Sequence, residues 1–191
     1  MSLSGSDRPV FPYRPANDGS LPWFDLKKHP DKSAEALSQT RSEFDPHGGR
    51  AGFDLLVEII LHLNTIPGLM STHCESAFRA TTNPFTNERC ELSVTDLIVI
   101  LLSNGMVTAM SEDCAANLAN NLIATIRGGN EDGADFNAIV QVAVIQMLID
   151  HKIGYGVRIL IEGFGKDRAS SVQSWTTAMR GMHLALNPRG E

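Results

Sequence analysis

Cysteine is scarce in this chain, with three residues, Cys74, Cys90 and Cys114, among 191. The number is odd and no C-x-x-C occurs, which argues against a disulfide framework and predicts a cytoplasmic or other reducing intracellular compartment, or a virion were the chain viral. Structural zinc sites draw on ligands in close pairs. These cysteines stand 16 and 24 residues apart, so with His73 they read as ordinary side chains and no metal is expected. Long apolar runs are missing too. No stretch reaches the ~18–20 uncharged residues of a membrane span. The nearest, Val94–Met110, is broken by Asp96, Asn104 and Gly105. The polar start has no apolar leader core, and no membrane insertion is expected.

Catalytic signatures are equally thin. Asp54, Glu58 and His62 fall at i, i+4, i+8 on one helix face. Neither H-E-x-x-H nor E-x-x-H spacing is present, so the stripe reads as the polar face of an amphipathic helix. Gly128–Asp135 lacks the acidic first and twelfth positions of a calcium loop. Gly154-Tyr-Gly156 and Gly163-Phe-Gly165-Lys166 match no phosphate-binding spacing and read as turns or close backbone packing. His47-Gly-Gly has no G-x-S-x-G partner and reads as a hinge. The chain is therefore expected to be non-enzymatic and to hold no cofactor.

Basic residues are missing between Arg89 and Arg127. The overall charge of −6 divides unevenly: residues 51–151 carry three basic and twelve acidic residues, and residues 152–191 carry six basic and three acidic. An acidic body with a basic end suits head-to-tail pairing or a polyanion held at that end. The candidate anion or nucleic-acid ligands are Lys166, Arg168 and Arg180, with Arg158 and Lys152. Trp175 near these cations suits single-stranded nucleic acid.

What the chain does have is an unusual beginning. Residues 1–50 contain six of the nine prolines, and no hydrophobic period. They carry Phe11, Tyr13, Trp23 and Phe24, the candidate subunit contacts. Proline lowers the cost of ordering an extended segment. The aromatic pair Trp23–Phe24 would bury ~400 Å², a gross ~10 kcal/mol before ordering costs. Residues 1–50 are read as an extended arm and 51–191 as the domain.

Within the domain, helical periodicity predicts Phe53–Leu63, Leu69–Ala80, a segment opened by Ser93 with Asp96 in its first turn, Cys114–Ile126, Phe136–His151 and Ser171–Leu186. Val157–Glu162 is open between helix and strand. The expected fold is all-α, a bundle of five to seven helices behind the arm. This layout is similar in architecture alone to helical capsid and nucleocapsid proteins, in which arms link subunits. The expected function is structural self-assembly as a homo-oligomer, with single-stranded nucleic acid as a possible second partner. The alternative is a small binding or regulatory module with the arm folded back on its own domain.

Overall fold

Leu92–Leu101 is rich in β-branched residues, and both of its faces are apolar or hydroxyl-bearing enough to be buried, Asp96 apart. In a computed structural model that describes residues 10–12, 38–66, 69–103, 106–108, 110–128, 137–149 and 152–186, this segment is the centre of a β-sheet. The order of elements is β1 (Val10–Pro12), α1 (Ser38–Phe44), a 3₁₀ turn (Asp45–His47), α2 (Arg50–Thr65), β2 (Leu69–Thr82), β3 (Arg89–Ser103), β4 (Met106–Thr108), α3 (Glu112–Gly128), β5 (Ala138–Ile149), β6 (Lys152–Gly165) and α4 (Arg168–Leu186).

The expectation of an all-α bundle is thus wrong. The fold is mixed α and β, with four helices and a sheet of four long antiparallel strands among the described residues. Of the predicted helices, Leu69–Ala80 and the segment from Ser93 are strands, Phe136–His151 contains the strand β5, and Val157–Glu162 lies within β6. The reason is side-chain shape. Val94, Thr95, Ile98, Val99 and Ile100 in β3, and Ile139, Val140, Val142, Val144 and Ile145 in β5, are β-branched and fit a pleated surface better than a helix. A run apolar on all sides suits a buried helix or a strand covered on both faces, so periodicity cannot choose between them.

Two hairpins build the sheet. β2 pairs with β3 from Thr82↔Arg89 to Leu69↔Leu101, with a bulge at Ser71/His73. β5 pairs with β6 from Ala138↔Gly163 to Ile149↔Lys152. β6 lies against β3, from Glu91↔Gly165 to Val99↔Val157, giving the order β5-β6-β3-β2. β4 adds a short return on β3, with Ser103 opposite Met106.

The helices pack on one face. Phe53, Leu56, Ile59, Ile60 and Leu63 of α2, Ala115, Ala119 and Leu122 of α3, and Val172, Trp175, Met179 and Met182 of α4 form one core with Leu97, Val99, Val157, Ile159 and Ile161 of the sheet. Phe44 belongs to the same core, stacked on Phe78 at 4.3 Å and tilted against Trp175 at 5.1 Å. Trp175 Nε1 donates to Thr95 Oγ1 at 3.0 Å, and Thr95 Oγ1 is 2.7 Å from Ser76 Oγ. This buried chain of polar groups fixes α4 over β3. At Gly163, a Cβ would collide with the backbone of Trp175, so α4 reaches β6 more closely than any side chain permits. Among the described residues, no helix is long and apolar enough to cross a membrane.

Candidate functional site

The opposite face of the sheet carries no described helix. Strand alternation places on it Ala77 and Arg79 of β2, Leu92, Val94, Asp96 and Ile98 of β3, Arg158, Leu160, Glu162 and Phe164 of β6, and Gln141, Ile145 and Met147 of β5. Leu92, Val94 and Phe164 form a second apolar cluster, flanked by Ala77, Cys90, Ile139 and Leu160. Phe85, in the β2–β3 turn and 53% exposed, meets Phe164 edge-on at 6.3 Å.

Charges cross this apolar surface diagonally. Arg158 grips Asp96 with two bonds, Nε to Oδ1 at 2.9 Å and Nη2 to Oδ2 at 2.6 Å. That fork-to-fork geometry is the strong form of an arginine–carboxylate contact. The bond to Asp96 raises the Arg158 pKa further above its ordinary value. Gln141 Nε2 donates to Glu162 Oε2 at 3.0 Å. Burial pushes the Glu162 carboxyl upward, and the Gln141 bond and the guanidinium groups of Arg158 and Arg79 oppose the shift. Between the charges lies a dimple of about 60 Å³ lined by Ala77, Leu92, Val94 and Leu160. The open surface of the dimple is mostly polar, contributed by Arg79, Asp96, Arg158 and Glu162.

On the helix side, an open groove of about 600 Å³ runs along α4 beside the 3₁₀ turn, lined by His47, Asp167, Gln173, Thr177 and Arg180 among others. Asp167 and Ser170 form a reciprocal cap at the start of α4. Ser170 N–H donates to Asp167 Oδ1 at 2.8 Å, and Asp167 N–H donates to Ser170 Oγ at 3.2 Å. The Ser170 N–H bond, with a second from Ser170 Oγ–H to the same oxygen at 2.7 Å, holds the Asp167 carboxyl below its ordinary value. His47, Asp167 and Ser170 thus share a groove, but the aspartate and serine are engaged in capping.

The five candidate anion ligands do not meet. Arg158 is on the helix-free face and bound to Asp96. Arg168 opens α4, with Nε 3.8 Å from Glu91 and its guanidinium 4.9 Å from the Phe78 ring centroid. Lys166 is exposed between β6 and α4, and Arg180 is exposed along the groove. Lys152 begins β6. Of the candidate subunit contacts, Phe11 lies in β1, while Tyr13, Trp23 and Phe24 lie outside the described residues. Val10–Pro12 pairs in parallel with β5, with Phe11 opposite Met147.

The polar stripe of α2 is divided among partners. Asp54 lies 3.3 Å from Arg41, and Glu58 lies 2.7 Å from His183 of α4 rather than on His62. Cys90 and Cys114 are free thiols, and burial raises the pKa of Cys90. Cys74 and His73 lie on β2. Among the described residues, no three His, Cys, Asp or Glu side chains gather as a metal site. Sequence reasoning missed the Asp96–Arg158 pair. It placed Asp96 in the first turn of a helix, whereas the alternation Leu92, Val94, Asp96, Ile98 was the signal that would have put it on a sheet face. Comparison with protein-family models, with curated proteins and with solved structures found no match.

Proposed function

We propose that this protein is a non-enzymatic interaction module that takes up extended polypeptide on its sheet, with its N-terminal arm folded back on its own domain. The observation that carries the reading is the parallel pairing of Val10–Pro12 with β5. A strand added at a sheet edge is a general mode of peptide recognition: main-chain bonds supply affinity, and the neighbouring face supplies pockets for side chains. Here the edge occupied by β1 adjoins a helix-free face with an apolar cluster and a small dimple. The homo-oligomeric reading differs in one respect, that the arm strand comes from a neighbouring copy. The likeness to helical capsid proteins rested on an all-helical layout and loses that footing. A single-stranded nucleic acid partner has less support, because Arg158 and Arg180 stand on opposite sides of the sheet and Arg158 is neutralised by Asp96.

Light scattering behind size exclusion, run across salt concentrations with absorbance read at two ultraviolet wavelengths, tests this reading. A monomer near 20.8 kDa without excess nucleic-acid absorbance is the expected result. A stable oligomer that dissociates when residues 1–37 are deleted moves the function to self-assembly by exchanged arms. A large assembly carrying nucleic acid overturns the proposal.

A further inference from the structure

Burial on the helix-free face does not end with the Leu92–Val94–Phe164 cluster. Ile98, Ile145 and Met147, nearer the β5–β6 turn, are 5%, 6% and 2% exposed. They belong to neither apolar cluster. Ile145 and Met147 lie opposite Gly156 and Gly154 in the register, so β6 offers them no side chain on this face. Such residues on a bare sheet face would be wet, and the four described helices lie on the other side.

The chain itself supplies an occupant. β1 runs beside this part of the face, with Phe11 opposite Met147. From Pro12 the chain leaves the β5 edge, and it re-enters at α1, whose Phe44 stacks on Phe78 of β2 at the opposite edge. The two ends that residues 13–37 must join stand on opposite edges of the sheet, about 19 Å apart for the four strand spacings from β1 to β2. Fully extended, that segment reaches about 80 Å, so length does not limit the route. It contains Leu21, Trp23, Phe24 and Leu26, large apolar side chains of the kind that would cover Ile98, Ile145 and Met147. We propose that residues 13–37 cross the helix-free face of their own chain, with Leu21-Pro22-Trp23-Phe24 seated over Ile98, Ile145 and Met147. This inference rests on the fold-back reading above and names the occupant of its docking face.

Trp23 is one of two tryptophans, and the other, Trp175, is fully buried. The difference between the full-length protein and its Trp23→Phe variant therefore isolates the Trp23 emission. The expected result is blue-shifted emission, with acrylamide quenching severalfold weaker than that of free N-acetyltryptophanamide and unchanged on dilution. Ile145→Lys is expected to raise quenching of Trp23 while leaving Trp175 shielded. Trp23 quenched like the free indole in the wild type overturns the inference, whatever the variants do. Protection that falls on dilution together with molar mass also overturns it, and assigns the face to a second copy's arm. Amide exchange along β5 keeps this apart from the fold-back reading. An unshielded Trp23 with protected β5 edge amides fails the inference alone, whereas loss of both fails both.

Discussion

At the residue scale, single polar groups in the core decide more than surface charges do. Trp175 Nε1–H has Thr95 Oγ1 as its acceptor inside the core. Thr95→Val leaves that donor unsatisfied, at a cost of about 1–3 kcal/mol. Ser76→Ala spares the Trp175 bond and costs less, about 0.5–1.5 kcal/mol. Urea unfolding of the two variants should preserve that order, and a larger loss in Ser76→Ala would contradict the account. Glu162 titrates with a defined sign. Its folded pKa is raised by burial, so the folded state holds its proton more tightly than the unfolded chain does. Stability from this site is complete below the unfolded value and is lost as pH rises through the folded value. Glu162→Gln should flatten that part of the stability profile, and an unchanged slope would show that Glu162 is not its source. Arg158 was legible as a candidate cation, but its partner was not, because the pairing depends on a strand register that composition does not encode.

At the element scale, the helices α2, α3 and α4 were legible because each has one apolar face and a capping or breaking residue near its end. The strands were not. β3 buries residues of both faces, which removes the alternation that identifies a half-buried strand, and β5 is apolar on both faces but for Gln141 and Gln146. The glycines of β6 look like punctuation in the sequence, whereas Gly163 and Gly165 lie under α4 where a side chain would collide with its backbone and Ser170. Gly52 sets two effects against each other. Helix propensity alone favours alanine there by about 1 kcal/mol, but the new Cβ would meet the fully buried Trp175 ring. Overpacking of that kind costs about 1–3 kcal/mol, so Gly52→Ala should lower the thermal midpoint despite the better propensity. The cap of α4 has its own pH signature. The Asp167 pKa is lowered by the Ser170 bonds, so its contribution is present above the ordinary aspartate value and is lost as pH falls through the lowered one. Asp167→Asn should keep the cap and remove that acid dependence, as seen in melts taken at falling pH.

At the scale of the whole molecule, the helices cover one face of the sheet, and the arm begins by adding a strand to one edge. The sequence reading divided an arm of residues 1–50 from a domain of 51–191 because proline and unpatterned aromatics stop where helical periodicity starts. Phe44 and His47 nevertheless pack with the domain from the arm side of residue 50. That an arm strand would find a sheet edge was not legible, because no sheet was expected. The edge itself gives the most direct test of the fold-back account, with exchange followed at a concentration at which light scattering shows a monomer. Amide hydrogen exchange should be followed at Gln146, Met147 and Leu148, the β5 positions opposite Val10, Phe11 and Pro12, in the full-length protein and in its Phe11→Pro variant. Proline at that position withdraws a main-chain donor. The account predicts protected edge-facing amides in the wild type and faster exchange in the variant, with the β3–β6 amides unchanged. Equal exchange along the β5 edge in both proteins would contradict it.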